Sequence, residues 1–260
     1  MQNYQAPPNH LKDRVILVTG AGQGIGRTVS IRFAAQGATV ILCGRKLDKL
    51  EAVYDEIQAA GYPPAVLFPL DLEKASEQDF TAMADGIYQQ LGRLDGVVHN
   101  AAHFDNLSPL EIQTEAQFAK MLKVNLTAPF TLTKACLPLL KRAPDAAVLF
   151  TSSSGGHEAN AFWGSHGISK QAIEHLVKTW AQELENIPQV RMNAVVPGAV
   201  QSPQRKKSHP GEIHGNLPAI ESIMPVYLYL IGPDSVGVSG QVVEAQPHLE
   251  TATALVEPTA

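Results

Sequence analysis

Two short stretches hold residues whose types and spacing suit chemistry. The first, "TGAGQGIG" (19–26), is a glycine-rich run between an apolar segment and a helical pattern. Glycines permit positive φ and let the backbone approach a pyrophosphate, whose charge meets the following helix N-terminus. Gly20, Gly22, Gln23, Gly24, Ile25, Gly26 and Arg27 form that cradle. A glycine-rich tight turn is the plainer alternative, but the run follows a strand and opens a helix in a βαβ unit, the context a dinucleotide site requires. The second stretch, "FWGSHGISKQAIEHL" (162–176), reads as the start of a helix carrying Lys170, with His166 four residues earlier. Beside an ammonium an imidazolium is disfavoured, so His166 is expected to be neutral near pH 7. A neutral imidazole is a poor proton donor and a fair acceptor.

The turn after the second strand speaks to which dinucleotide is bound. NAD sites place Asp or Glu about 20 residues beyond the glycines, whereas NADP sites use Arg. Here "LCGRK" puts Gly44 and Arg45 at that turn, so Arg45 is expected to accept a 2′-phosphate with Arg27 as helper. Asp48 is the rival and reads better as a solvated helix residue. NADP is therefore favoured over NAD. Asp71, past the third strand, suits either the adenine amino group or a cap.

The elements that must position these residues alternate. Apolar strands are expected at 14–20, 38–44, 65–72, 94–102, 146–154 and 190–198, with helices at 24–37, 46–61, about 76–91, 115–142 and 163–186. Six β-then-α units with continuous apolar strands predict an α/β fold, a single doubly wound parallel sheet of Rossmann type with helices on both faces. No internal repeat or linker divides residues 1–260, and the core is expected over about 14–247. Residues 199–219, rich in Pro, Gly and polar groups, read as a loop over the strand ends. The tail 248–260 reads as mobile. Tyr227 and Tyr229, in "MPVYLYLIG", read as core.

Composition excludes several function classes. A net charge of −5 argues against a phosphate-backbone binder, and the single basic run, "RKK" (205–207), reads as a solvated loop or as cations offered to an acidic substrate. No apolar run approaches the ~20 residues that cross a bilayer, and the N-terminus lacks a signal-peptide core. Cys43 and Cys136 make no disulfide framework and read as buried thiols, so a cytoplasmic protein with neither nucleic acid nor membrane as partner is expected.

Taken in order, "TGAGQGIG", Asp71 and Leu72 in "LDL", "HNAA" (99–102) with Asn100 and Ala101, Asn125 in "KVNLT", the "SSS" run, Lys170, and "PGAVQS" with Pro197, Gly198 and Ser202 resemble the short-chain dehydrogenase/reductase family. The resemblance runs from about Val15 to Gln246. The "SSS" run, "WG" (163–164) and "EAQP" (244–247) are similar to its YciK-type bacterial subgroup. It implies an NADP(H)-dependent oxidoreductase acting on a small alcohol or carbonyl compound, with an Asn, a Ser, a Tyr and a Lys at the active site. Carried over by position, Asn125 is the helix-kink residue holding a water, and Ser153 polarises the carbonyl. Lys170 binds the nicotinamide ribose, and Ser202 meets the nicotinamide amide. The helices at 115–142 and 163–186 match those through which family members form homodimers or homotetramers.

The sequence departs from the family at Ala102, usually Gly, and at His166, where the family carries its tyrosine. An imidazole nitrogen reaches roughly 2–3 Å less far than a phenol oxygen, and ~1 Å of misplacement can cost ~10²-fold. Weakened proton transfer, leaning toward oxidation, is one expectation; an inactive NADP(H)-binding protein with a sensing or assembly role is the other. His103 and His157 are expected near His166, with His209 and His214 in the covering loop. Ordinary polar lining is favoured there over a metal site.

Overall fold

The computed structural model describes residues 1–156 and 158–246, so His157 and the tail 248–260 lie outside the described residues. The strands are β1 (Val15–Thr19), β2 (Thr39–Gly44), β3 (Val66–Pro69), β4 (Gly96–His99), β5 (Ala146–Thr151), β6 (Val190–Val196) and β7 (Val242–Glu244). They form one parallel sheet in the order β3-β2-β1-β4-β5-β6-β7. The sequence pattern anticipates six of these. The seventh has only three residues, too few to show a period, and is held by pairing with β6, Val195 opposite Val243.

Side chains on a strand alternate faces. Along β1, Ile16 and Val18 enter one apolar layer, Val15 and Leu17 the other. The first layer packs helices α1 (Gly24–Ala35), α2 (Leu47–Ala59) and α8 (Met224–Ile231) through Phe33, Leu50 and Leu230. The second packs α3 (Glu77–Leu91), α5 (Ala128–Leu140) and α6 (Gly164–Glu183) through Phe80, Leu132 and Val177. Both faces of β1 are thus dry, which explains its unbroken apolar run. "MPVYLYLIG" is the helix α8, and Tyr227 within it is fully buried.

Two segments differ from the sequence expectation in ways that matter for the site. The long helix over 115–142 is α4 (Glu115–Leu122) and α5 joined by a π turn, Lys123–Thr127, with Asn125 at its centre. Such widened turns concentrate at functional sites because they redirect one side chain out of helical register. The expected loop 199–219 contains the short helix α7 (Pro203–Ser208). Ser202 caps it by accepting from the Arg205 amide at 3.2 Å, and Pro203 stands in its first turn.

β1 and β4 are neighbours, and the chain winds away from them in opposite directions. Ligands of open α/β sheets bind in the crevice beyond the strand ends at that switch point. The glycine-rich turn and the "HNAA" turn both leave the sheet there.

Candidate active site

The turn from β1 to α1 is pressed against the end of β4. Gly20 has φ +68°, and a Cβ on it would stand 2.9 Å from Ala101 Cα. A Cβ on Gly26 would stand 2.3 Å from the Gly20 carbonyl oxygen and 2.6 Å from Asn100 Nδ2. Thr19 Oγ1 fastens the two turns, accepting from the Asn100 and Ala101 amides at 3.1 Å each. Gly26 therefore serves packing of helix on strand, and it lies behind the cleft that Gly20, Gly22, Gln23, Gly24 and Ile25 line.

That cleft has a volume of about 790 Å³, enough for a dinucleotide with a small substrate. At one end Arg45 is exposed at the mouth, with Lys46 and Lys49 alongside and Asp71 and Leu72 on the opposite wall. Asp71 Oδ1 accepts from the Glu73 amide at 3.1 Å. Asp48 is exposed. Arg27 does not line the cleft: its guanidinium pairs with Glu56 on α2, which corrects its expected place beside the 2′-phosphate. Lys49, which sequence reasoning missed, lines the cleft and bonds Gln23 Oε1 of the glycine turn. Its signal was its place one helical turn after Arg45.

At the other end the cleft is lined by Asn100, Ala101, Ser153, His166, Lys170, Pro197, Gly198 and Ser202. Lys170 is buried and donates to the Thr151 carbonyl at 2.6 Å. Burial lowers its pKa to about 8, against a rise from Glu174, which is buried one turn further along α6. Ser152 donates to Glu174 Oε1 at 2.5 Å, so a carboxylate stands behind the lysine that sequence reasoning also missed. Ser153 Oγ is buried with no partner among the described residues.

His166 is more enclosed than its sequence suggests. It is 2% exposed, with the Phe104 ring 5.3 Å away edge-on and the Trp163 ring at 5.6 Å. Among the described residues neither ring nitrogen has an aligned partner. Burial first, then the Lys170 charge, lower its pKa to about 3. The direction agrees with the expected neutrality, and the same enclosure makes the imidazole a weak proton acceptor. Asn125 lies behind Lys170 with its side chain committed. It bonds the His103 backbone, Met121 Sδ and Ser169 Oγ, rather than turning into the cleft.

The basic run is less available than expected. Arg205 is held by Glu212 at 2.6 and 2.8 Å, and Lys207 donates to the Phe104 carbonyl at 2.8 Å. His209 tilts against Trp163 at 5.7 Å, which brings the covering segment over the histidine. Among the described residues no group of three His, Cys, Asp or Glu is placed to hold a metal ion, and no helix is long and apolar enough to cross a membrane.

The family profile described as short chain dehydrogenase matches residues 14–213, which hold strands β1 to β6, the glycine turn and Lys170. This chain belongs to the short chain dehydrogenase family. It is 37% identical over 245 residues to the uncharacterized oxidoreductase YciK of Escherichia coli K12, covering 94% of this chain and 96% of that one. It is 29% identical to the 7alpha-hydroxysteroid dehydrogenase of Escherichia coli K12, over 89% and 92% of the two chains. Among solved structures, a short chain dehydrogenase from Pseudomonas syringae superposes with TM-score 0.90 at 46% identity, covering 95% of this chain and all of that one. One from Escherichia coli CFT073, complexed with NADPH, superposes with TM-score 0.89 at 38% identity over 93% of this chain and all of that one.

As a short chain dehydrogenase, the chain is an oxidoreductase, and its cleft fits a nicotinamide dinucleotide. A Cβ on Gly20, Gly22 or Gly24 would meet Ala101, Lys49 or Pro203, so the turn stays bare of side chains, and Arg45, Lys46 and Lys49 line the same cleft. At the far end, the buried unpartnered Ser153 hydroxyl offers a bond to an incoming polar group.

Proposed function

We propose that the protein is an NADP(H)-dependent oxidoreductase for a small alcohol or carbonyl substrate, with proton transfer at position 166 weakened relative to its family. The observation that carries this reading is the union in one cleft of Lys170, the unpartnered Ser153 hydroxyl and the cation-lined mouth at Arg45, Lys46 and Lys49. The cofactor supplies or accepts hydride. Arg45 and Lys49 meet the 2′-phosphate, and Gly20, Gly22, Gln23, Gly24 and Ile25 hold the pyrophosphate. Asn100, Ala101, Pro197 and Gly198 border the nicotinamide half, and Ser202 offers its hydroxyl hydrogen, since its oxygen is engaged at the start of α7. Ser153 donates to the substrate oxygen, Lys170 holds the ribose, and Asn125 fixes the neighbouring backbone.

His166 stands next to the reacting oxygen as a neutral imidazole, which can donate one hydrogen bond but carries a proton poorly. That same enclosure favours a second reading, a protein that binds NADP(H) without turnover. The test compares the wild type with His166→Tyr on a broad alcohol and carbonyl panel, with NADPH affinity measured in parallel. Turnover by the wild type supports the first reading. Binding without turnover, with activity appearing only in the tyrosine variant, supports the second.

Association through the outer faces of α5 and α6 is proposed with it, because Phe130 and Ile168 there are 40% and 46% exposed. A homodimer or homotetramer mass by light scattering is the expected result.

A further inference from the structure

His103 leaves the end of β4 and lines the same cleft as Ser153, His166 and Lys170. Its backbone is held on both sides by Asn125, at 2.7 Å from its amide and 3.0 Å from its carbonyl. Asn125 is itself bonded to Ser169 on α6 at 3.1 Å, so the His103 position is tied to the helix that carries Lys170. The His103 side chain has a carboxylate neighbour: Nε2 lies 3.0 Å from Asp105 Oδ1. That approach lacks the alignment of a full hydrogen bond. Catalytic hydrogen bonds are often poorly aligned until substrate is bound.

The surroundings of the two histidines differ in kind. Around His103 stand Asp105 on its own segment, Glu73 after β3, which is paired with Lys120 of α4, and His166 of α6. Lys207 of α7 sits on the adjacent Phe104 carbonyl. His166 has two aromatic rings and a lysine about it. A carboxylate beside an imidazole fixes the orientation of the ring and can pass a proton along with it, whereas two aromatic rings offer His166 no such partner.

We propose that His103, held by Asp105, is the group that exchanges a proton with the substrate oxygen in this protein, and that His166 only walls and hydrogen-bonds the site. The inference rests on the oxidoreductase reading above. In reduction the carbonyl carbon takes hydride from the reduced nicotinamide dinucleotide, the C=O π bond opens, and the oxygen takes a proton from the His103 imidazolium. The imidazole left behind is reprotonated from water. In oxidation the same steps run in reverse, with His103 accepting the hydroxyl proton.

The test uses the full-length protein and a panel substrate that the wild type turns over. His103→Asn is expected to lose about 10²–10⁴-fold in kcat, the contribution of a general acid or base, with KM and NADPH affinity near wild type. Added imidazole is expected to restore part of the activity of His103→Gly, Asp105→Asn to show a smaller loss in kcat, and His166→Asn a loss below tenfold. A folded His103→Asn with wild-type kcat, or a His103→Gly that imidazole does not rescue while His166→Asn loses more than His103→Asn, overturns the proposal and leaves the oxidoreductase reading standing. A wild type that binds NADPH but turns over nothing on the panel overturns both.

Discussion

Asn125 and His103 are joined by a reciprocal pair of hydrogen bonds: the Asn125 carboxamide oxygen accepts from the His103 amide at 2.7 Å, and its nitrogen donates to the His103 carbonyl at 3.0 Å. An asparagine in the middle of a helix can do this because the π turn at Lys123–Thr127 displaces it from helical register. The pair closes the backbone donor and acceptor of a turn that belongs to no strand, and so holds the substrate side of the cleft to the α4–α5 rod.

Asn125→Ala is expected to destabilise the fold by on the order of 3 kcal/mol, since it strands buried backbone groups as well as removing bonds. Urea unfolding at pH 7 measures this. A loss below 1 kcal/mol would mean that the turn is held by other contacts.

Gly26→Ala places a methyl 2.3 Å from the Gly20 carbonyl oxygen, a distance that forces the turn away from β4. It should cost about 1–3 kcal/mol of stability and weaken NADPH binding at least tenfold. Gly86 on α3 is the internal control, because a Cβ there meets nothing within 4 Å. Gly86→Ala is expected to stabilise by about 0.5–1 kcal/mol, the ordinary gain for a helix interior. Equal effects at the two sites would rule out the packing argument.

Arg45→Ala should weaken NADPH binding about tenfold or more, in keeping with loss of one charge-assisted phosphate contact, and leave NADH binding unchanged. Arg27→Ala should change neither, because that side chain is occupied by Glu56. Fluorescence titration with both nucleotides distinguishes them. A larger effect at Arg27 would restore it to the site.

Lys170 should confer a pH dependence on cofactor binding. Burial brings its pKa from 10.5 to about 8, so it is charged below that pH and neutral above it. NADPH affinity is expected to be greatest below pH 8 and to fall as pH rises through it, with Lys170→Met weaker and flat over the same range. A wild-type profile that stays level from pH 6 to 10 would contradict this.

Acid should destabilise the protein well before its carboxylates titrate. Burial lowers His99 and His166 to about 3, against 6.5 for an exposed histidine. Between those values the unfolded chain binds more protons than the folded one, so stability is fully present above pH 6.5 and declines as pH falls toward 3. Each histidine contributes up to about 2 kcal/mol of that loss by pH 5. His166→Asn and His99→Gln should each reduce the slope of unfolding free energy between pH 7 and 5. If neither does, these imidazoles are not held neutral by the fold.

The order of strands and helices was legible from local pattern: apolar runs bounded by glycine, and helical spacing such as Ile25, Val29 and Phe33. So were the cleft's main residues, from the glycine turn to Lys170. β7 was not, since three residues carry no period, and α7 was hidden by a polar composition that suits a loop equally well.

What the sequence determined by itself was what depends on neighbours along the chain: the periods that set each element, the glycines that a strand–turn–helix junction needs, and the one-turn spacing of His166 and Lys170. Only the tertiary structure decided which charges meet and which are dry. Arg27 is drawn off by Glu56, His166 is sealed by Phe104 and Trp163, and His103 comes under the hold of Asn125, 22 residues away. Desolvation and partner choice arise from groups brought together by folding, so the proton chemistry of a side chain cannot be read from its type and position alone.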